Sequence, residues 1–135
     1  MTRKEAREHC FKLMFEYEVQ KNDAQTMLSY FVENELSLGS QKNYVETLLR
    51  SAVENIAHID ETIEQNTKGW RISRLPKVTL AVLRVAVAEM LYMDDIADSI
   101  SINEAVELAK VYSSDEAPAF INGILGKVAG SGADA

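Results

Sequence analysis

Apolar residues recur at intervals of three and four along most of the chain, and the alternation that marks half-buried strands is absent. The pattern is therefore helical. Thr2-Arg3-Lys4-Glu5 has capping-box form and predicts a first helix from Arg3, with Ala6, Cys10, Leu13, Met14 and Tyr17 as its core stripe. A second helix is predicted over 24–36, capped by Asn22 or Asp23, with Met27, Leu28, Phe31 and Val32 inward. After a break at Leu38-Gly39-Ser40, one long stripe from Tyr44 and Val45 through Leu48, Leu49, Ala52, Val53, Ile56 and Ile59 to Ile63 predicts a third helix over 41–66. Gly69 is a natural terminator for it.

Residues 67–74 read as a linker between two helical halves. Pro76 suits the first turn of a fourth helix, where its missing N–H costs nothing. From Val78 to Leu91 that helix is apolar nearly all round, as expected of the buried centre of the second half. Residues 94–100 form a turn with room for one short helical segment. Ser101-Ile102-Asn103-Glu104 and Ser113-Ser114-Asp115-Glu116 are two further capping boxes. The first opens a helix with Ile102, Ala105, Val106, Ala109 and Tyr112 on one face. The second opens a last helix with Ala117, Phe120, Ile121, Ile124, Leu125 and Val128 inward. The segment 131–135 is small and polar, and is expected to be a disordered tail. The expected fold class is all-α, a bundle of about seven helices.

Composition narrows the class. The chain has 135 residues and one cysteine, Cys10, which excludes an internal disulfide and a multi-cysteine zinc site. No apolar run approaches the ~18 residues of a membrane span, and a cytoplasmic setting without membrane partners is expected. The net charge of −7 argues against a generic nucleic-acid binder, but it is unevenly spread. Residues 1–12 carry Arg3, Lys4, Arg7 and Lys12 against Glu5 and Glu8, a net of +2. Lys68, Arg71, Arg74 and Lys77 make a second, acid-free basic segment, whereas residues 94–116 carry a net of −6. Such polarity suits RNA on one side and a basic protein on the other; uneven solvation of a small acidic protein is the plainer reading.

Catalytic signals are poor, and neither enzyme activity nor a cofactor or metal is expected. There is no Gly-rich phosphate loop. His9 and His58 lie in separate helices without a ligand partner at i+4, Asp94 and Asp95 diverge in a turn, and Cys10 falls on an apolar stripe where inert thiols are the norm. Binding signals are better. On a helical wheel Lys4, Arg7, Phe11 and Phe15 form a stripe roughly 120° from the core stripe. Cations beside aromatics suit single-stranded RNA, because phosphates meet the cations and unpaired bases stack on the rings. Equally, Phe11 and Phe15 could simply widen the core face. Arg84 and Glu89 stand in the apolar fourth helix, where an unpaired charge is expensive. Their spacing of five places them on different sides, so each needs its own partner. Both are read as structural, with Arg84 expected to pair with Glu104 or Glu107.

One set of motifs is more specific. Ser101-Ile102-Asn103-Glu104-Ala105-Val106-Glu107-Leu108-Ala109-Lys110 is followed by Phe120-Ile121-Asn122-Gly123-Ile124-Leu125. Trp70…Arg74-Leu75 and Leu83-Arg84…Glu89 precede them, and Ala6-Arg7-Glu8 lies near the N-terminus. In this order and spacing the blocks resemble the NusB family of RNA-binding transcription antitermination factors.

The resemblance implies a NusB-like bundle in two helical subdomains, 1–66 with three helices and 75–130, joined by the linker 67–74. It implies binding of boxA-type single-stranded RNA together with the ribosomal protein NusE, within the RNA polymerase antitermination complex on ribosomal RNA operons. Arg3, Lys4 and Arg7 correspond to the family's arginine-rich helix start, although Glu5 falls where a basic residue is common. Lys12 and Phe15 stand where the family has Gln and Tyr, and Phe120 matches a position near the RNA. Glu116 matches a position at the NusE interface, with Asn122 on the same helix. The acidic–basic pair that often precedes Leu83 is replaced by Thr79 and Leu80. NusB-like domains also precede RNA cytosine methyltransferase domains, which a methyl-transfer assay would reveal. The alternative function is a protein-only interaction module, a homodimer burying the Lys4/Phe11/Phe15 face, with little RNA affinity.

Overall fold

The computed structural model describes residues 1–21, 23–34 and 38–133, with only the backbone described for residues 24, 27, 30, 32, 34 and 131–133. Among the described residues the structure is all helical: α1 (Arg3–Gln20), α2 (Ala24–Asn34), α3 (Lys42–Glu54), α4 (Ile56–Gln65), α5 (Lys77–Tyr92), α6 (Asp98–Tyr112) and α7 (Ala117–Ala133). No helix is long and apolar enough to cross a membrane among the described residues.

The N-terminal capping box forms as its spacing predicts. Glu5 N–H donates to Thr2 Oγ1 at 3.1 Å and Thr2 N–H donates to Glu5 Oε1 at 2.9 Å, so two orphan donors of the first turn are satisfied. Asp23 accepts the Gln25 N–H at 3.1 Å and the Thr26 hydroxyl at 2.7 Å at the start of α2. Leu28 is buried and Phe31 half-buried there, while Asn22 and the side chains of Met27 and Val32 lie outside the described residues.

The single third helix is corrected to two. The Asn55 side-chain amide donates to the Ser51 carbonyl at 2.9 Å and its backbone N–H to the same carbonyl at 3.1 Å, closing α3 before α4 begins. An asparagine side chain that bonds the local backbone competes with the helical ladder, and the apolar period continues across the break. Ser101 is corrected as well. The helix starts at Asp98, and Ser101 is a buried residue of α6 rather than its cap. Helix α7 begins at Ala117, buries Ala117, Ile121, Ile124, Leu125 and Val128, and ends at Ala133. It therefore overlaps the segment 131–135 expected as a disordered tail, of which 134 and 135 lie outside the described residues.

Helix α5 is the axis. Pro76 stands just before it, and every residue from Thr79 to Glu89 is buried. It packs against α1, α3, α4, α6 and α7, so its all-round apolar surface has a partner on each side. Each fully buried Leu or Val on it contributes about 1.5–3 kcal/mol relative to exposure.

The two charges on α5 find separate partners. Glu89, 0% exposed, accepts from Arg7 Nε at 2.6 Å, from Ser101 Oγ at 2.7 Å and from the Tyr44 hydroxyl. Arg84 does not pair with Glu104 or Glu107. Its guanidinium grips Asp60 on α4 in a fork of 2.9 and 2.8 Å and reaches Glu18 on α1 at 2.8 Å. The side of α5 that carries Arg84 faces α4 and the end of α1, out of reach of α6.

Candidate nucleic-acid interface

The α1 cations expected to contact RNA divide into two sets. Arg3 and Lys4 are exposed at its first turn. The Arg3 guanidinium lies 4.2 Å from the centroid of the Tyr44 ring, and its Nε donates to Gln41 Oε1 at 2.6 Å. Arg3 is thus held by residues 38 and 41 positions away, at the start of α3. Lys12 is exposed more than two helical turns along, pairs with Glu8 at 3.4 Å, and sits 5.7 Å from the Tyr112 ring. The Glu8 carboxylate also accepts the Tyr112 hydroxyl at 2.8 Å. That bond, with Lys12 alongside, holds Glu8 below the usual carboxylate range, while Glu8 and Tyr112 raise the Lys12 ammonium.

Arg7 does not belong to this exposed set. It is 4% exposed, and its guanidinium is engaged by Glu89. Burial alone would lower it, but the bond to Glu89 more than offsets that and raises it, so the charge is kept. An arginine held this way cannot reach a phosphate without leaving a carboxylate buried and unpaired. Its alignment with the helix-start cations follows from sequence position alone. Phe11 is also interior, 3% exposed with its ring 5.1 Å from Tyr112, and Phe15 is half-buried against the core. For Phe11 the core-widening reading holds, and the face that a Lys4/Phe11/Phe15 homodimer needs loses its central ring. Burial and the nearby Glu89 charge push the Cys10 thiol up, as befits a structural cysteine.

Phe120 lies on a second surface. Its ring meets Trp70 edge-on at a centroid distance of 6.3 Å, and Trp70 is 52% exposed. Between them and the start of α5 is a groove of about 210 Å³, whose lining includes Leu75, Pro76, Thr79 and Glu116. Glu116 is exposed on its rim, and Asn122 is exposed further along α7. A second opening, about 380 Å³, is lined by Lys68, Gly69, Trp70, Arg71 and Arg74.

The loop that carries Trp70 is tied from beneath by Thr67, which is buried. Its hydroxyl lies 2.9 Å from the Glu64 carbonyl and 2.8 Å from the Trp70 carbonyl, and accepts the Trp70 N–H at 3.0 Å. Glu64 Oε1 accepts the Ile72 N–H at 2.8 Å. Lys68 and Gly69 take positive φ of 57° and 98° between these anchors, a conformation that glycine adopts at no steric cost and lysine does not. Thr67→Val keeps the shape and removes the hydroxyl, which accepts from the Trp70 N–H and shares its one proton between the two carbonyls. It is expected to destabilise the protein by about 1–3 kcal/mol in urea unfolding, because the Trp70 N–H loses its acceptor. An unchanged midpoint would show that the loop is not held by this hydroxyl.

Gln41, Tyr44 and Tyr112 were not read from the sequence as parts of the surface. Tyr44 carried only a core signal, and nothing local links it or Gln41 to Arg3. Trp70 was legible as part of a motif, without a role.

The NusB family model matches residues 4–130. Transcription antitermination protein NusB of Alkaliphilus oremlandii is 46% identical over 131 residues, covering 94% of this chain and 92% of that protein. Transcription antitermination protein NusB of Ruminiclostridium cellulolyticum is 41% identical over 128 residues, covering 95% and 88%. Among solved structures, T. maritima NusB superposes with a TM-score of 0.88 at 31% identity, covering 96% of this chain and 92% of that one. A chain from a complex of the antitermination factors NusB and NusE with dsRNA superposes with a TM-score of 0.83 at 25% identity, covering 96% of each.

Proposed function

The chain belongs to the NusB family, and from that premise we propose that it is a transcription antitermination factor that binds boxA-type single-stranded RNA together with NusE. In this reading it joins the RNA polymerase antitermination complex in the cytoplasm and promotes processive transcription of ribosomal RNA operons. The reading contains no catalytic step. The observation that carries it is the extent of the family match, which spans the bundle from the first turn of α1 almost to the end of α7.

The chain's residues divide between two partners. Arg3, Lys4 and Lys12 on α1 would meet phosphate, and Phe15 and Phe120 would meet bases. Arg7 would support that face from within by fixing α1 on α5. The acidic segment 94–116, with Glu116 and Asn122, would face NusE, a basic protein whose own phosphate contacts make RNA binding cooperative. Arg3 is presented for this role: the Tyr44 ring and Gln41 hold its guanidinium at the surface, which lowers the ordering cost of a phosphate contact.

Fluorescence anisotropy of a boxA-type RNA against a scrambled control, with and without NusE and at two salt concentrations, tests the proposal. Sequence-preferring binding strengthened by NusE is expected. The Arg3→Ala/Lys4→Ala double variant is expected to weaken it about tenfold and to flatten the logarithmic salt dependence by roughly one unit or more, at about 0.7 per phosphate contact. Absence of binding to either RNA under every condition would overturn it.

A further inference from the structure

We infer that the loop around Trp70 is a second single-stranded RNA contact, separate from the α1 face, on which an unpaired base stacks against Trp70 while Lys68, Arg71, Arg74 and Lys127 take the flanking phosphates. This rests on the antitermination reading and extends it to nucleotides beyond those held by α1.

The first ground is the state of the cations. On α1, Arg7 is buried against Glu89 and Lys12 is paired with Glu8. Among the described residues, Lys68, Arg71, Arg74 and Lys127 form no ion pair. They are exposed, and they gather around one aromatic pair although the chain as a whole carries −7. No carboxylate lines the opening formed by Lys68, Gly69, Trp70, Arg71 and Arg74. None lines the adjoining groove of about 230 Å³ between Asn66–Lys68 and α7, which Phe120 and Lys127 border. Two acid-free depressions therefore meet at Lys68, one floored by each ring. A polyanion is the occupant this charge selects; a basic partner such as NusE would be repelled from it.

The second ground is the indole itself. Trp70 is 52% exposed, and its ring and that of Phe120 meet in a T-shaped arrangement at an interplanar angle of 74°. The indole is thereby braced from one side and left open to a stacking partner. Aromatic platforms between unpaired cations are how single strands are held without base-edge readout. The third ground is preorganisation. The Thr67 ties to Glu64 and Trp70, and the Glu64 bond to Ile72, fix the loop before any ligand arrives. A fixed platform loses little conformational freedom on binding.

The chain has one tryptophan, so its emission reports on Trp70 alone. The probe is a labelled single-stranded RNA carrying a boxA-type element with flanks of roughly ten nucleotides on each side, within the range of known single-strand sites. Titrated into the full chain, it is expected to quench Trp70 emission in step with anisotropy, and added salt is expected to reverse both. Lys68→Ala/Arg71→Ala/Arg74→Ala, all surface changes, is expected to weaken binding at least tenfold and to reduce the logarithmic salt slope by about two units. Trp70→Leu is expected to weaken it about five- to tenfold.

RNA binding that leaves Trp70 emission and the triple variant's affinity unchanged overturns the inference. If Arg3→Ala/Lys4→Ala still weakens that binding, the antitermination reading survives alone. RNA that binds nowhere overturns both. Emission that responds to NusE without RNA assigns the loop to the protein partner, and the inference falls.

Discussion

Replacing Glu89 by alanine is expected to lower stability by about 3–5 kcal/mol, the range found when one partner of a buried ion pair is removed. For a chain of this length that corresponds to a fall in melting temperature of roughly 10–20 °C. Glu89 is 0% exposed and receives Arg7, Tyr44 and Ser101, from α1, α3 and α6, at a single point on α5. Truncation leaves the buried Arg7 guanidinium without its ion-pair partner, and two hydroxyls without their acceptor. Burial, reinforced by the Glu89 charge, also raises the Tyr44 hydroxyl, which keeps it a donor at any physiological pH. The double variant Arg7→Met/Glu89→Leu removes both charges and fills their volume. It is expected to be more stable than Glu89→Ala, although Tyr44 and Ser101 still lose a bond. Urea unfolding of the variants decides the matter, and a loss under about 1 kcal/mol for Glu89→Ala would refute the account. Arg7→Met carries a second expectation. It should lose stability while the folded fraction keeps near-normal RNA affinity, since Arg7 does not face solvent. A loss of RNA affinity without loss of stability would return Arg7 to the binding face.

How much of this was legible in the sequence depends on the range of the interaction. The Thr2 box, the α5 axis and the inward stripe of α7 rest on spacings of three and four, and periodicity carries that information. Asn55 shows where periodicity fails: apolar positions continue through it, and a side-chain bond to Ser51 decides the break. Ser101 shows where a local motif misleads. Ser-x-x-Glu satisfies the capping pattern, but this serine serves as a buried donor to Glu89, 12 residues earlier. The need of Arg84 and Glu89 for separate partners followed from helix geometry. Their identities did not, because Asp60 and Glu18 are 24 and 66 positions away from Arg84 and become neighbours only once α1 and α4 have docked on α5. The site divides the same way. Arg3, Lys4 and Lys12 were readable as cations on one helix, whereas the withdrawal of Arg7 into the core required knowing what lies opposite it.

The separation of Arg7 from Arg3 also explains how so acidic a chain can present a basic face. Interior acids absorb the interior arginines: Glu89 takes Arg7, and Asp60 with Glu18 takes Arg84. What remains exposed around Lys68, Arg71 and Arg74 is cationic, and Arg3 and Lys4 are exposed at the start of α1, where Glu104 and Glu107 line a pocket with Lys4. Long-range attraction scales with these local fields rather than with the sum of −7. The buried pairs accordingly fix which charges reach solvent.

Arg84→Met is the second large effect expected. Arg84 is 4% exposed and ties α5 to α4 and α1 through three bonds of 2.8–2.9 Å. Methionine fills the stem's volume, so the loss reports on the charge. It strands Asp60 and leaves Glu18 with Lys21 alone, and both acids retain some access to water, which reduces the penalty to about 2–4 kcal/mol. Arg84→Lys keeps the charge without the fork and should fall between. The pH dependence gives an independent check. Burial by itself would raise the Glu18 carboxyl, yet the Lys21 and Arg84 bonds outweigh it and hold Glu18 below the ordinary range. A carboxyl depressed in the folded state stabilises above its unfolded value, near 4.3, and that contribution is lost as pH falls through the lower folded value. In Arg84→Met the depression is weakened, so the variant has less to lose on acidification. The gap between wild type and variant should therefore be widest near pH 7 and narrow as the pH is taken below about 4. A gap that is absent at pH 7, or constant across the titration, would mean that Arg84 holds the helices by packing of its stem and not by its charge.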